Sequence, residues 1–154
     1  MFAIMTAEPA PSLGKILVID DNPIIQHVVY FALRDKGYKV LMSGEISEAL
    51  KIIREEKPDL ILVDLSFPLD TMNVGGPLQD GFFIIDWIRR TPEVEKVPIM
   101  IISATEPTEY KERANAAGVK ACFHKPLNKE KLVAAIRSTL GGNVTTGQSF
   151  SPDI

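Results

Sequence analysis

The sequence contains one cysteine, Cys122, and two histidines, His27 and His124. A single cysteine cannot form an internal disulfide, so packing must hold the fold together, and we expect a reducing compartment, the cytoplasm. These three residues also offer no credible ligand spacing for zinc. The sequence therefore excludes a disulfide framework and a zinc centre.

The sequence also lacks long apolar runs and a strong charge of either sign. No segment approaches the roughly 18 consecutive apolar residues of a membrane-spanning helix, and residues 1–12 lack the basic flank and cleavage pattern of a signal peptide. A formal net charge of -3 gives no electrostatic reason to bind nucleic acid. We therefore expect a globular protein with no membrane partner and no direct nucleic-acid partner.

The length of 154 residues suits one domain. Residues 1–13 are rich in alanine and proline and are predicted to form a flexible N-terminal arm. Residues 14–140 carry the periodic hydrophobic pattern of the domain. Residues 141–154 are rich in glycine, serine and threonine and are predicted to form a flexible C-terminal tail.

Five predicted strands alternate with five predicted helices in the periodic part. The strands are predicted at 15–20, 38–43, 59–64, 98–103 and 120–124. The first, third and fourth are nearly continuous apolar runs, which is typical of parallel strands covered on both faces. Right-handed crossovers between parallel strands then give an α/β fold, a three-layer α/β/α sandwich.

Capping residues and apolar spacing define the predicted helices. Asn22 and Asn128 are expected to cap the first and last helices, and Pro23 suits a first helical turn. The predicted apolar faces are Ile24, Val28, Phe31 and Ala32 in the first helix; Ile46, Ala49, Leu50 and Ile53 in the second; either Phe82, Ile85 and Ile88 or Ile84 and Trp87 in the third; and Leu132, Val133, Ile136 and Leu140 in the last.

Reactive side chains follow four of the predicted strands at the points where those strands end. Asp20 and Asp21 follow the first strand, Asp64 ends the third, Ser103 ends the fourth and Lys125 follows the fifth. The carboxyl ends of parallel strands meet at one edge of a sheet, where open α/β folds bind their ligands. The sequence therefore predicts one site that contains all five residues.

Three carboxylates in one pocket raise one another's pKa values unless a cation is present. A hard divalent cation with oxygen ligands, Mg²⁺ above all, resolves that repulsion. A metal beside a lysine and a hydroxyl suits a phosphoryl group, and a carboxylate can accept one as an aspartyl-phosphate. Asp64 is the best candidate acceptor because it stands alone on the central strand.

The sequence resembles the receiver domain of two-component response regulators over nearly all of residues 14–140. The combination and order of the matching segments are highly specific, although each segment alone would be weak. They are KILVIDDN (15–22), LILVDL (60–65), IMIISA (99–104) and AAGVKACFHKPL (116–127). The resemblance implies a flavodoxin-like sandwich with a five-stranded parallel sheet in the order 2-1-3-4-5.

The resemblance also implies a role for each matched residue. Asp64 would accept a phosphoryl group from a sensor histidine kinase or a phosphotransfer protein, and Lys125 would pair with that group. Ser103 would move toward it after transfer. The metal ligands would be Asp20, Asp21, Asp64 and the backbone carbonyl of Ser66. A cis peptide is expected at Lys125–Pro126.

The expected function is that of a stand-alone response regulator, a monomer or weak dimer that acts on a downstream protein target. It would catalyse only its own phosphorylation and dephosphorylation. One alternative is an interaction module of receiver fold that does not use phosphorylation. Another is a phosphotransferase or phosphatase, which typically carries a second acid two residues after the nucleophile, where this sequence has Ser66.

Two departures from the family pattern concern signal transmission. The segment 66–79 is longer than usual, either as a tolerated insertion or as a lid near Asp64. The family usually carries a switch tyrosine or phenylalanine three residues before the lysine, and Cys122 stands there instead. The neighbouring Phe123 is predicted to point to the opposite face of the sheet. We therefore expect altered output coupling rather than lost phosphorylation.

Overall fold

The computed structural model describes residues 12–65, 79–141 and 151–152. The strands are β1 (Lys15–Ile19), β2 (Lys39–Ser43), β3 (Leu60–Asp64), β4 (Ile99–Ser103), β5 (Ala121–His124) and a two-residue β6 (Ser151–Pro152). The α-helices are α1 (Pro23–Arg34), α2 (Ile46–Glu56), α3 (Gln79–Arg89), α4 (Lys111–Ala116) and α5 (Lys129–Leu140), and a short 3₁₀ helix spans Pro107–Glu109. The first five strands agree with the predicted bounds to within one residue at each end.

Strands β1 to β5 form an all-parallel sheet in the order β2-β1-β3-β4-β5, as predicted. The pairs Ile19↔Val63 and Ile61↔Ile99 set the register of the central strands. Strand β6 adds a short parallel pairing at the outer side of β5, opposite Ala121 and Cys122. The predicted arm and most of the predicted tail lie outside the described residues.

Alternating residues of each strand enter two hydrophobic cores on opposite faces of the sheet. In β1, Ile16 and Val18 face the core that α1 and α5 cover, whereas Leu17 and Ile19 face the core under α2, α3 and α4. Strands β3 and β4 are buried at every position. The continuous apolar runs in the sequence are therefore explained by helices on both faces, which gives the predicted three layers.

The predicted apolar face of α1 is not the buried one. Ile24 is 71% exposed and Phe31 is 46% exposed, whereas Val29 and Leu33 are fully buried. Apolar residues occupy two adjacent stripes of this helix, so their spacing alone could not select the stripe that meets the sheet. In α3 the two alternative faces are both largely used, because Phe82, Ile84, Ile85 and Ile88 are all buried and Trp87 is partly buried.

The predicted caps are confirmed at both ends of the domain. The Asn22 side chain accepts hydrogen bonds from the backbone of Ile24 at 2.8 Å and Ile25 at 3.4 Å. The Asn128 side chain accepts one from Lys131 at 3.0 Å. Each bond satisfies a backbone N–H that has no partner inside its helix. The Asn22 cap also fixes the direction in which the chain leaves β1, next to the predicted site.

Across the part of the chain that the structure describes, no helix combines the length and the apolar character needed to cross a bilayer.

Candidate functional site

Three carboxylates meet at the carboxyl edge of the sheet. Because β1 and β3 are neighbours, Asp20 and Asp64 follow adjacent paired positions, and Asp21 lies beside them. One oxygen from each carboxylate lies within 4.8 Å of the others. Asp20 and Asp64 are buried, whereas Asp21 is exposed. The predicted cluster of three carboxylates is therefore present, and two of them are buried while the third is open to solvent.

Asp20 is held by the turn that leads into α1. Its Oδ1 accepts a hydrogen bond of 2.8 Å from the backbone N–H of Asn22. The side-chain amide of Gln26, on the first turn of the helix, donates to the backbone carbonyl of Asp20. Among the described residues, the buried Oδ2 of Asp20 has no well-formed hydrogen bond, and its ion-pair partner is Nζ of Lys125 at 3.5 Å. This oxygen is a buried acceptor with unused capacity, which is costly unless a cation binds it.

Lys125 supplies the positive charge of the site. Its Nζ lies 3.5 Å from Oδ2 of Asp20 and 3.5 Å from Oδ2 of Asp64. The lysine side chain is 20% exposed, so its charge reaches two nearly buried carboxylates from the rim of the pocket. The peptide bond between Lys125 and Pro126 is cis, as expected. One ammonium group thus faces two carboxylates, and Asp21 adds a third negative group.

The charge balance is reflected in the pKa of Asp20, which is raised from 3.8 to about 6. Burial contributes most to this rise, and the neighbouring charge of Asp64 adds to it. The N–H of Asn22 and the charge of Lys125 act in the opposite direction but do not cancel it. Lys125 alone therefore does not compensate the negative charge of this pocket.

The donor set fits a hard divalent cation. Carboxylate oxygens are the ligands that Mg²⁺ prefers, and the ion usually retains several waters, which the exposed position of Asp21 permits. The buried Oδ2 of Asp20 provides a specific atom for it. Ser66, the predicted backbone ligand, lies outside the described residues, as does the segment 66–78. The described residues thus form a candidate metal site of three carboxylates.

Ser103 lies at the same edge of the sheet and is fully buried. Its Oγ accepts a hydrogen bond of 2.9 Å from the backbone N–H of Thr105, and its backbone carbonyl accepts one of 2.9 Å from the N–H of Lys125. The hydroxyl hydrogen can still donate, since a serine hydroxyl both accepts and donates. Asp64 pairs with Ile102 in the sheet, and Ser103 follows Ile102 directly. The backbone of Ser103 is also tied to Lys125.

Gly81 allows α3 to begin against the strand that carries Asp64. Its N–H donates a hydrogen bond of 3.3 Å to the carbonyl of Leu65. A Cβ at this position would lie 2.6 Å from the Cα of Leu65 and 2.9 Å from the carbonyl oxygen of Asp64. Real Cβ atoms do not approach backbone so closely, so only glycine fits without a shift of β3 or α3.

The residues before Lys125 are arranged as the strand pattern predicted. Cys122 lies in the core under α3 and α4, and Phe123 lies in the opposite core against α5. His124 is partly exposed, and its Nε2 lies 3.0 Å from the carbonyl of Ala104 and 3.7 Å from Oε2 of Glu106. The phenylalanine of β5 therefore does not face the α3–α4 side.

The sequence analysis missed contributions that depend on backbone direction. The Asn22 N–H and the Gln26 amide both hold Asp20, yet only the capping role of Asn22 was predicted. Tyr110 was also missed, although it is 3% exposed and packs under α3. A large aromatic four residues before the buried Ala114 was the available signal for a core position on α4.

Comparison with known proteins identifies relatives for this arrangement. A family model described as the response regulator receiver domain matches residues 16–137. The polar-differentiation response regulator DivK of Brucella anthropi is 25% identical over 127 residues, which cover 82% of this chain and 96% of DivK. The DNA-binding response regulator MtrA of Mycolicibacterium smegmatis is 31% identical over 129 residues, which cover 84% of this chain and 51% of MtrA.

Solved structures show the same fold. The chemotaxis response regulator CheY4 of Vibrio cholerae superposes with a TM-score of 0.69 at 26% identity, covering 81% of this chain and 97% of CheY4. A CheY-like receiver domain protein of Methanospirillum hungatei gives a TM-score of 0.70 at 24% identity, covering 84% of this chain and 95% of that one. In both cases the likeness covers more than four fifths of this chain.

Proposed function

The chain belongs to the response regulator receiver family of two-component signalling, and we propose that it works by accepting a phosphoryl group on Asp64. Receiver domains are signalling modules rather than enzymes with a separate substrate. The observation that carries the proposal is the nearly buried Asp64 carboxylate, 3.5 Å from Lys125 Nζ and clustered with Asp20 and Asp21. The phosphoryl donor is proposed to be a phosphohistidine of a sensor kinase or a phosphotransfer protein.

In the proposed transfer, a carboxylate oxygen of Asp64 attacks the phosphorus of the phosphohistidine. The new P–O bond forms as the P–N bond breaks, and the imidazole nitrogen leaves with the electron pair and is protonated by solvent. Carboxylate and phosphoryl oxygens repel each other, so the transfer needs positive charge nearby. Lys125 provides one such charge at 3.5 Å from the acceptor carboxylate.

The remaining carboxylates are proposed to bind Mg²⁺, which neutralises the oxygens of a transferring phosphoryl group when bound. Asp20 offers its buried Oδ2 and Asp21 offers an exposed carboxylate, while the N–H of Asn22 keeps the Asp20 side chain oriented. The backbone carbonyl of Ser66 remains a predicted fourth ligand. The cytoplasmic location expected from the sequence remains a prediction as well.

Output is proposed to follow from the shift of a two-state equilibrium toward a form that binds a downstream protein. Ser103 can donate its hydroxyl hydrogen to an oxygen of the phosphorylated Asp64 while Thr105 still donates to its Oγ. The new bond favours any arrangement that brings Ser103 closer. The shift can be no larger than the difference in free energy that this bond makes between the two states.

Mass spectrometry after incubation with acetyl phosphate and Mg²⁺ tests the proposal. We expect the mass of the protein to increase by one phosphoryl group. The increase should be lost in Asp64→Asn and retained in Asp35→Asn, which changes an exposed aspartate at the far end of α1. Omission of Mg²⁺ should also prevent it.

An unchanged mass of the folded wild-type protein would contradict the proposal and favour an interaction module that does not use phosphorylation. A mass increase that persists in Asp64→Asn would instead show that the acceptor is another residue.

A further inference from the structure

Tyr110 is a buried aromatic residue between the segment that follows Ser103 and helix α4. Its side chain is 3% exposed. Its N–H donates to the carbonyl of Pro107 at 3.2 Å, and its carbonyl accepts from the N–H of Ala114 at 2.9 Å. Tyr110 thus ends the 3₁₀ helix and starts α4, so its backbone cannot move without moving one of them.

The Tyr110 side chain joins two other elements of the fold. Its ring meets the ring of Phe82 on α3 edge to face, with centroids 6.3 Å apart and planes at 67°. Tyr110 and Cys122 of β5 lie in the same hydrophobic core. Burial raises the pKa of the Cys122 thiol to about 12, and the hydroxyl of Tyr110 acts on it in the opposite direction. Tyr110 therefore links α3 to the core that contains Cys122, the only cysteine of the sequence.

Six residues connect this side chain to the candidate acceptor site. The hydroxyl of Ser103 holds the N–H of Thr105 at 2.9 Å, and Tyr110 lies five residues further along. Between them, Oε2 of Glu106 lies 3.7 Å from Nε2 of His124, and the 3₁₀ helix stiffens Pro107–Glu109. Residues 104–109 are therefore short and partly rigid, so a displacement of Ser103 is expected to move Tyr110 as well.

On its other side, Tyr110 leads to charged groups at the surface of α3 and α4. The guanidinium of Arg113 lies 4.3 Å from the centroid of Phe82 and pairs with Asp86 at 3.5 Å. Arg113 and Asp86 are each about half exposed in their side chains, at 48% and 47%. Loss of the Tyr110–Phe82 contact would change the support under this exposed ion pair.

We propose that Tyr110 transmits the phosphorylation state of Asp64 to the α3–α4 surface. The packed position of its side chain against Phe82 and near Cys122, here called its seat, defines the unphosphorylated form. The inference rests on the proposed phosphorylation of Asp64. Phosphorylation draws Ser103 and the attached Thr105 toward Asp64, and the Tyr110 side chain then leaves its seat. The thiol of Cys122 becomes accessible as a consequence.

The rate at which a thiol reagent modifies Cys122 measures this opening directly, because a buried thiol reacts only when its cover moves. We would compare labelling by iodoacetamide with and without Mg²⁺ and beryllofluoride, a phosphoryl mimic, at constant pH. A covered state that is populated at 90% or more and then largely lost should give acceleration on the order of ten-fold. Asp64→Asn should show no acceleration.

Tyr110→Phe tests the seat without any phosphorylation. This variant keeps the ring against Phe82 but removes the hydroxyl, the polar group that acts on the Cys122 thiol, so basal labelling should be roughly five-fold faster. Tyr30→Phe is the matched control, since Tyr30 meets Phe31 and Arg34 on α1 through its ring. Its labelling rate should equal that of the wild type.

The outcomes separate this inference from the proposed function. A normal mass increase with acetyl phosphate, together with an unchanged labelling rate, would overturn the role of Tyr110 alone. The same labelling rate in Tyr110→Phe and wild type would show that the hydroxyl does not hold the seat, which also overturns it. Absence of any mass increase in the folded protein would overturn both proposals.

Discussion

The two edges of the sheet carry similar residues in opposite electrostatic situations. At the amino edge, Nζ of Lys15 pairs with Oε1 of Glu56 at 3.1 Å, and both side chains are partly exposed, at 29% and 42%. At the carboxyl edge, Asp20 and Asp64 are almost fully buried and share Lys125 at 3.5 Å. Water screens the first pair, whereas protein surrounds the second group.

The comparison shows that charge destabilises the fold at the carboxyl edge of the sheet and not at the amino edge. The amino edge satisfies its charges one to one, and the backbone N–H of Lys15 also donates to Oδ2 of Asp59 at 2.8 Å. The carboxyl edge leaves an excess of buried negative charge, which raises the pKa of Asp20. A destabilised cluster of this kind is typical of a functional site, because a cation or a phosphoryl group can recover the lost free energy.

Removal of the lysine should give the largest effect. Lys125→Ala leaves two buried carboxylates without their cation, and we expect a loss of about 3 kcal/mol in the free energy of unfolding at pH 8. Urea unfolding followed by Trp87 fluorescence measures it. The loss should shrink at pH 4, where Asp20, whose pKa is raised to about 6, is protonated, and Lys125→Arg should retain most of the stability. A loss of equal size at pH 4 would show that packing, not charge, is the cause.

Removal of one buried acid should have the opposite sign. Because the pKa of Asp20 is raised from 3.8 to about 6, ionised Asp20 destabilises the folded state. This penalty is absent below pH 3.8, develops as the pH rises to about 6 and is constant above it. Without divalent cations, Asp20→Asn should therefore raise the free energy of unfolding by about 2 kcal/mol at pH 8.

Thermal melts of Asp20→Asn and wild type between pH 3 and pH 8 measure this difference. It should fall toward zero at the acidic end, and excess Mg²⁺ should stabilise the wild type more than the variant. A variant that is less stable than wild type at pH 8 would contradict the buried-charge interpretation.

A substitution that adds volume without charge at the carboxyl edge of the sheet should have a smaller effect on stability. Gly81→Ala places a Cβ 2.6 Å from the Cα of Leu65, so β3 and α3 must separate, at a cost of about 2 kcal/mol or less. Phosphorylation of Asp64 should slow as well, because its carbonyl is also crowded. Gly44→Ala is the matched control, since the nearest atom to its Cβ lies at 3.6 Å. Equal unfolding midpoints for the two variants would refute the close-approach argument.

The smallest effect is expected at the amino edge. Glu56→Gln removes the charge that pairs with Lys15, but Nζ of Lys15 still donates to the backbone carbonyl of Glu56 at 3.0 Å. We expect a change of less than about 0.5 kcal/mol, which high salt should abolish. Glu55→Gln, an exposed neighbour, is the control. A loss as large as that of Lys125→Ala would remove the contrast between the two edges.

Much of the fold could be predicted because its signals are local. The apolar runs of β1, β3 and β4 end at the acids and the serine, and the caps Asn22 and Asn128 mark the helix starts. The buried stripe of α1 could not be predicted, because Ile24 and Phe31 are as apolar as Val29 and Leu33. Only the position of the helix on the sheet distinguishes the two stripes.

In the candidate site, too, some features could be predicted from the sequence and others could not. Its members follow from strand ends, since parallel strands bring Asp20, Asp64 and Lys125 to one edge whatever the details of packing. The groups that orient these side chains could not be predicted from the strand ends. The bonds from Asn22 and Gln26 to Asp20 and the contact of Gly81 with Leu65 depend on how the chain turns after each strand.

The sequence by itself determined the positions of the strands and the identities of the acids, the hydroxyl and the lysine, because each lies in a short segment with a strong local pattern. The family and the strand order followed from the resemblance that those segments carry. The tertiary structure decided which atoms are buried and which remain unsatisfied, above all Oδ2 of Asp20. It also packed Tyr110 against Phe82 and in the same core as Cys122, residues 28 and 12 positions away in the chain. Burial and long-range contact arise only when distant segments pack together, so local pattern cannot specify them.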